Sequence, residues 1–183
     1  MKQHIPTMAR WGAAGFLATL AALAGVQLSA QAIAGHNSNA PVSYAADRIE
    51  YQDRQNRVVL SGNVKLAQAG LNFNASRTII NFTDAGSIQI QRIIATGGVD
   101  VSRGNERARG DSAVYDLNRR IITMAGNVRL NRGGDTLNGG RLVIDLASGV
   151  SSVDGRASGS SSVTGQTSNN GGRVSGTFSV PQN

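Results

Sequence analysis

The residue types that most often do chemistry in proteins are scarce in this 183-residue chain. It contains no cysteine and two histidines, His4 and His36, which both precede the patterned part of the sequence. Thiol nucleophiles, disulfides and cysteine-type zinc sites are therefore excluded, and acid–base catalysis or metal binding by a histidine inside the fold is not expected. Serine-rich residues 158–162 have no histidine to activate them. The sequence predicts no catalytic residue, no metal site and no cofactor, and the protein is not expected to be an enzyme.

Three short motif matches predict no site. Residues 133–140, GGDTLNGG, resemble one turn of a calcium-binding nonapeptide repeat, but a single copy lacks the stacked neighbours that such a site needs. The RGD tripeptide at 109–111 resembles an adhesion motif, and its aspartate is explained more simply as the start of a strand. The glycine-rich stretches lack the Gly-Lys-Ser/Thr ending of a phosphate-binding loop.

The positive charge is dispersed. The formal net charge is +7, and without Lys2 and Arg10 of the N-terminal stretch it is +5. Arginines carry most of it, in clusters as short as 107–109 and 119–120, and only 4% of the residues are aromatic. A basic stripe interleaved with aromatic rings, as in nucleic-acid-binding proteins, is not found, so no nucleic acid partner is expected. Scattered arginines suit the phosphates of a lipid or glycolipid, because guanidinium binds phosphate through two hydrogen bonds; the alternative is a surface that is merely solvated.

The N-terminal stretch has the pattern of an export signal. A positive start is followed by an uncharged run rich in alanine, leucine and glycine, residues 11–28, and by two overlapping A-x-A patterns within 30–34. We expect a cleaved signal peptide, residues 1–34, then a flexible N-terminus, residues 35–42, in a protein exported beyond the cytoplasmic membrane. The alternative is a retained transmembrane anchor, because the uncharged run is close to the shortest length that spans a bilayer.

The sequence from residue 43 to residue 154 is typical of β-structure. Apolar and polar residues alternate along short runs, and turn-forming stretches such as QDRQN, TDAG, RGNE and NRGGD separate these runs. No helical period is evident. The region therefore predicts an all-β sandwich or barrel.

Two parts of this region match each other when the sequence is shifted by 64 residues. The shift places SGNVKL on AGNVRL, Asp47 on Asp111 and Tyr51 on Tyr115. The stretch from residue 93 to residue 103, which contains TGGVDV, forms a third, partial copy. The sequence thus predicts an internal repeat of one multi-strand unit.

The glycines of the three copies, Gly62, Gly97 and Gly126, have the same parity as the apolar residues around them. Because successive side chains point to opposite faces of a strand, each glycine falls on the apolar face of one continuous strand. A glycine at that position permits a sharp bend. The alternative is a tight hairpin with the glycine at its centre, which would place Leu60 and Leu66 on opposite faces.

The repeated GNV(K/R)L unit, the block GDSAVYD…ITMAGNVRL and the following LNGGRLVIDL resemble the OstA-like family. The resemblance covers about residues 43–154, and RVSGTFSVP within residues 173–183 is similar to the strand that ends the family's fold. The glycine- and serine-rich residues 155–172 depart from the family and are expected to be flexible. The resemblance implies a twisted antiparallel β-jelly roll, that is, an open sandwich of bent strands.

The resemblance also implies a periplasmic protein that binds lipopolysaccharide or a related glycolipid for outer-membrane assembly. It implies head-to-tail association into a homo-oligomer, with an LptC-like partner at the inner membrane and an LptD-like partner at the outer membrane. If the N-terminal run is retained, the chain would instead be a membrane-anchored, LptC-like component. A third interpretation is an extracellular structural or adhesion β protein.

A lipid with several acyl chains needs an apolar shelter in water, since each buried methylene contributes roughly 0.8 kcal/mol. We expect a lipid-binding groove lined by the inward-facing side chains Ile49, Tyr51, Val58, Leu60, Val64, Leu66, Phe73, Ile80, Phe82, Val99, Val101, Tyr115, Ile122, Met124, Val128, Leu130, Leu142 and Ile144. The alternative is that the same side chains fill a solid core, as in most sandwiches.

Overall fold

The computed structural model describes residues 36–84, 86–156 and 172–179. These residues belong to one structural unit of the chain, residues 31–183. The predicted signal peptide and most of the predicted flexible segment lie outside the described residues. Within them, no helix has the length and apolar character needed to cross a bilayer.

The described residues form one antiparallel sheet and a single turn of 3₁₀ helix, Asp53–Gln55. The strands are β1 Ser43–Ala45, β2 Arg48–Gln52, β3 Arg57–Gln68, β4 Leu71–Asp84, β5 Ile88–Arg103, β6 Glu106–Asp116, β7 Ile121–Arg132, β8 Asp135–Asp145, β9 Ser151–Asp154 and β10 Ser175–Thr177. Their order is β1-β3-β4-β5-β6-β7-β8-β10, with β2 also paired to β3 and β9 also paired to β8. The predicted all-β class is confirmed, and the sheet has two open ends: β1 and β2 at one, β9 and β10 at the other.

Consecutive strands are joined by turns of two kinds. Two-residue turns join β3 to β4, β5 to β6 and β7 to β8 at one end of the sheet, here called the tight-turn end. Longer connections join β4 to β5 and β6 to β7 at the opposite, long-turn end. Between β3 and β4, Ala69 and Gly70 have φ values of 45° and 83°, and positive φ at both central residues is what a type I′ turn requires.

A row of β-bulges crosses the sheet halfway along the strands. In β3, Gly62 and Asn63 lie opposite one residue of β4, Ser76, and their φ values are 77° and 44°. Register shifts of the same kind occur at residues 97–98 of β5 and 126–127 of β7, which also have positive φ. The three glycines therefore lie within continuous strands. The hairpin alternative is wrong, because the chain reverses at the ends of β3, β5 and β7 instead.

An aspartate that lies in a neighbouring strand, or just before one, occupies the space over two of these bulges. The Asp47 carboxylate accepts a hydrogen bond from Asn63 Nδ2 at 2.8 Å, and a Cβ added to Gly62 would overlap that carboxylate. The same hydrogen bond joins Asn127 Nδ2 to Asp111 at 2.9 Å, 64 residues further along. Glycine is therefore required both by its positive φ and by the close approach of a carboxylate.

The sheet folds over along the row of bulges. Phe73 lies on the tight-turn side of the row, and Tyr115 lies on the long-turn side, seven residues beyond Ala108, which is in register with Phe73. In a flat sheet the two rings would be more than about 20 Å apart, since a strand rises about 3.3 Å per residue. Their rings instead stack with centroids 5.9 Å apart and 7° between their planes. The inner faces of the two halves therefore contact each other, as in the predicted open jelly roll.

Residues 36–42, here called the N-terminal segment, precede β1 and fold into this sandwich. His36 is buried, and its Nε2 lies 3.0 Å from Gln68 Oε1. Gln68 Nε2 donates hydrogen bonds to the carbonyl oxygens of Ser38 and Ala40 at 2.9 and 2.8 Å. The flexibility of residues 35–42 stays a prediction. Gln68 provides hydrogen-bond partners for a backbone that belongs to no strand, and His36 is buried beside it.

Gly126→Ala is expected to lower the free energy of unfolding by about 2–4 kcal/mol. The alanine would have to adopt a left-handed backbone conformation, and its Cβ would displace a hydrogen-bonded carboxylate. Gly126 has φ +78°, and an added Cβ would overlap the Asp111 carboxylate. Urea denaturation followed by circular dichroism measures the loss.

Gly98→Ala is the matched control for this substitution. Gly98 has φ +80°, and nothing lies within 4 Å of an added Cβ. Only the backbone cost applies there, about 1–2 kcal/mol. Equal destabilisation by the two alanines would contradict the role assigned to Asp111.

Stability is expected to fall as the pH drops below neutrality, because of His36. Burial lowers the pKa of His36, the positive charge of Arg103 lowers it further, and the hydrogen bond with Gln68 opposes both effects. The unfolded chain binds this proton near pH 6.5, and the folded chain binds it only at lower pH. The stabilising contribution is thus fully present above the unfolded pKa and is lost as pH falls towards the folded pKa. Thermal unfolding midpoints should decrease more for the wild type than for His36→Gln between about pH 7.5 and about pH 5. Equal decreases for the two proteins would contradict the assignment of this pH dependence to His36.

Candidate functional site

Apolar side chains lie in cross-strand rows on the inner face of the folded sheet. One row of the long-turn half contains Tyr51, Val58, Ile80, Ile93, Tyr115, Ile122 and Ile144. The next row contains Ile49, Leu60, Thr78, Ala95, Ala113, Met124 and Leu142. A row of the tight-turn half contains Tyr44, Leu66, Phe73, Val101, Ala108, Leu130 and Leu137. Each row therefore begins at the open end formed by β1 and β2 and reaches β8.

The structure brings the side chains predicted to line a groove together on this inner face. Those that are buried are Leu60, Val64, Leu66, Phe73, Ile80, Phe82, Val99, Val101, Tyr115, Ile122, Met124, Val128, Leu130, Leu142 and Ile144. Val58 is partly buried against them, whereas Ile49 and Tyr51 are 52% and 53% exposed. The same core also contains Leu71, Ile93 and Leu146, which the sequence analysis did not single out.

The interior is closed along its middle. Leu60, Val101 and Ile122 have no exposed surface, because the two halves pack directly on each other and so remove both apolar faces from water. The sequence predicts an accessible groove. In this structure, the side chains predicted to line that groove form a packed core. A lipid chain would therefore have to separate the halves.

The interior is exposed to solvent at the end formed by β1 and β2. Tyr44, Ile49 and Tyr51 continue the three inner rows there, and about half of each side chain is accessible. The Tyr51 ring stacks on Phe82 with centroids 5.5 Å apart, so it is held in place on the inner side. These residues are exposed because β3 is the last strand that pairs on both of its sides, which leaves no further strand to cover them.

A buried ion pair lies at the tight-turn end of the interior. Glu106, at the start of β6, is 1% exposed, and its Oε1 lies 2.6 Å from Arg132 Nε at the end of β7. Arg132 Nη2 also donates to Ser151 Oγ at 3.3 Å. The pair links three strands, and removing either partner would leave the other charge without this compensation.

Gln68 connects the N-terminal segment to the aromatic rings of the interior. Its Oε1 accepts a hydrogen bond from Tyr115 Oη at 3.1 Å, in addition to its contact with His36. Burial raises the pKa of Tyr115, so the hydroxyl stays protonated and remains a donor. The His36 ring lies edge-on to the Tyr115 ring with centroids 6.4 Å apart.

Sequence parity contains a signal for two of these polar residues. Gln68 has the same parity as Leu66 on β3, and Glu106 has the same parity as Ala108 on β6, so both continue an inward-facing series. His36 has no such signal, because it lies in no strand. The contact that buries it depends on the folded position of Gln68.

The arginine clusters face outward. Arg107 Nε and Arg109 Nε both bind the Asp100 carboxylate, with their nearest distances 2.7 and 2.9 Å. Arg109 also lines an open outer cavity of about 620 Å³ together with Arg129 and Arg173. These side chains are thus remote from the apolar rows. Among the residues that the structure describes, no group of three or more acidic or histidine side chains is placed to hold a metal ion.

Comparisons with known proteins agree with this architecture. Residues 45–150, more than half of the chain, match the family described as LptA/(LptD N-terminal domain) LPS transport protein. A protein of Rhizobium meliloti (strain 1021), described as uncharacterized, is 25% identical over 144 residues, which are 75% of this chain and 73% of that protein.

A solved structure shares the fold. LptH of Pseudomonas aeruginosa, described as the LptA homologous periplasmic component of the conserved lipopolysaccharide transport device, matches with a TM-score of 0.67 and 16% sequence identity. The match covers 79% of this chain and 99% of the LptH chain. The predicted jelly roll is confirmed by this likeness, and the family match spans β2 to β8, the strands that carry the apolar rows. The chain belongs to the LptA/LptD N-terminal domain family of lipopolysaccharide transport proteins, as its OstA-like motifs indicate.

Proposed function

We propose that this protein is a periplasmic carrier that shelters the acyl chains of lipopolysaccharide, or of a related glycolipid, between the two halves of its folded sheet. The observation that carries the proposal is the set of rows, apolar except for Thr78, that run from the exposed end at Tyr44, Ile49 and Tyr51 to β8. Family membership supplies the lipid class. The predicted signal peptide, which lies outside the described residues, would direct export.

The energetics favour exchange of one set of apolar contacts for another. Separating the halves exposes the rows, and an acyl chain inserted between them covers the rows again while its own methylenes leave water, each worth roughly 0.8 kcal/mol. A lipid with several acyl chains therefore offsets the opening of the core. The net positive charge of the chain is complementary to the phosphates of such a lipid.

The open ends of the sheet suit head-to-tail assembly. β1 and β2 form one end of the sheet, and β9 and β10 form the other. One end of a copy can therefore pair with the opposite end of the next copy. Strand addition between copies would continue both the sheet and its inner rows. In this proposal the assembly reaches an LptC-like protein at the inner membrane and an LptD-like protein at the outer membrane. No step in this role requires a catalytic residue or a cofactor.

A second candidate is a structural or adhesion β protein with a permanently solid core. The observation that favours it is the burial of the predicted groove residues, for example Leu60, Met124 and Leu142 at 0% exposed. The two candidates differ in whether lipid ever contacts the inner rows.

Photocrosslinking from neighbouring inner and outer positions of one strand tests whether lipid contacts the inner rows. A photoreactive amino acid at Leu66 or Leu130, which are each 3% exposed, should form adducts with lipopolysaccharide in cells. The same amino acid at Lys65 or Arg129, which are exposed on the outer face of the same strands, should form none. Adducts are detected as a mobility shift on gels probed for lipopolysaccharide. Absence of adducts from both inner positions, in protein that is folded and exported, would favour the solid core.

Replacement of an exposed inner residue at the β1 edge tests the assembly. Tyr44→Lys places a charge where the row would continue into a second copy, so the association constant should fall about tenfold or more. Ser43→Lys adds the same charge to the outer face of β1 and should change association by less than about threefold. Light scattering over a concentration series measures both, and a wild-type protein that remains monomeric at the highest concentration would rule out self-association.

A further inference from the structure

We propose that residues 36–42 are a displaceable cover over the interior, and that an acyl chain enters beneath them once Gln68 releases the segment. This inference rests on the proposed carrier function and adds to it the place at which the closed sandwich opens. Its basis is the manner in which the N-terminal segment is attached.

The polar part of the attachment is concentrated in one side chain. Gln68, 4% exposed at the end of β3, donates to the carbonyl oxygens of Ser38 and Ala40 and contacts His36 Nε2 through its Oε1. Among the described residues, the segment's own hydrogen bonds are short-range: from Ser38 N to the His36 carbonyl oxygen, from Ala40 N to that of Asn37, and from Asn39 N to Asn37 Oδ1. A segment that lies outside every strand, and whose long-range hydrogen bonds come from one amide group, is expected to open at a lower free-energy cost than the sheet.

The segment covers the point where the two halves meet. Its first described residue, His36, lies against the Tyr115 ring, and Tyr115 in turn stacks on Phe73 of the opposite half. Gln68 Oε1 also accepts the hydrogen bond from the Tyr115 hydroxyl. Release of the segment would therefore uncover the ring pair that joins the halves.

A cavity adjoins the segment and leads towards the same place. It has a volume of about 470 Å³ and is bounded by residues 38–42, Gln68, residues 88–91 and residues 117–118. This volume is within the range of small-molecule sites. Its apolar members Val42, Ile90 and Leu117 pack against the buried core, so an acyl chain in this cavity would already contact residues continuous with the inner rows.

The chain is well suited to a direct test, because it has no cysteine. Asn39 is exposed and its backbone N–H, rather than its side chain, makes the local hydrogen bond, so Asn39→Cys carries an environment-sensitive fluorophore with little disturbance. The exported protein with this label is mixed with lipid A, and the fluorescence change and the amount of bound lipid are followed together. Hydrogen–deuterium exchange of residues 36–42 is measured with and without lipid A.

Gln68→Ala removes the hydrogen bonds that hold the segment, and Gln55→Ala is the matched control at an exposed position of the 3₁₀ turn, outside the cavity. Loss of two hydrogen bonds to the cover should raise the population of the open state, and with it the rate of lipid A binding, about tenfold. Gln55→Ala should bind at the wild-type rate. Deletion of residues 36–40 leaves β1 intact and should bind at least as fast as Gln68→Ala, so it decides the question if Gln68→Ala does not fold. Binding of lipid A to the wild type should also increase amide exchange in residues 36–42, while exchange in the middle of β3 stays slow.

One result would overturn the cover alone, and another would overturn the carrier function as well. If lipid A binds the wild type, Gln68→Ala and the deletion at one rate, and exchange in residues 36–42 does not change on binding, the segment is not a cover and the carrier function stands. If none of these proteins binds lipid A, the carrier function is wrong and the cover falls with it.

Discussion

The fold depends on a row of backbone positions with positive φ that crosses the sheet at mid-strand. At each of these positions a glycine and the residue after it oppose a single residue of the next strand, so the strand bends without ending. The bulges of β3, β5 and β7 lie at the same level on alternate strands of the sheet. Their bends therefore add up to one fold line. The stacking of Phe73 on Tyr115 is the direct consequence, since residues far apart on a flat sheet meet only when its two halves close.

A sheet that folds on itself has an interior without having a closed barrel. Its apolar rows are buried where strands from both halves face each other, and they are exposed at β1 and β2, where no further strand follows. The same geometry allows one set of side chains to form the packed core of this structure and, in the carrier proposed above, the lining of the lipid site. The halves are joined by side-chain contacts, and no strand pairing has to break when they separate.

Polar groups determine where such a separation is easiest. The Glu106–Arg132 pair joins neighbouring strands within the tight-turn half, so it stays intact when the halves separate. Gln68, in contrast, holds a segment that has no strand partners of its own. In the opening proposed above, release of the N-terminal segment therefore precedes separation of the halves.

Much of this molecule follows from local sequence rules. Alternation of apolar and polar residues determined the strands, the parity of Gly62, Gly97 and Gly126 distinguished bent strands from hairpins, and the repeat order indicated the family, because each depends only on the period of a β-strand. The tertiary structure alone decided that the inner rows close on one another and that His36 is buried on Gln68 and Tyr115. Parity assigns a side chain to a face, but it contains no information on what the face contacts; that contact is set by the angle of the fold line and by residues distant in sequence.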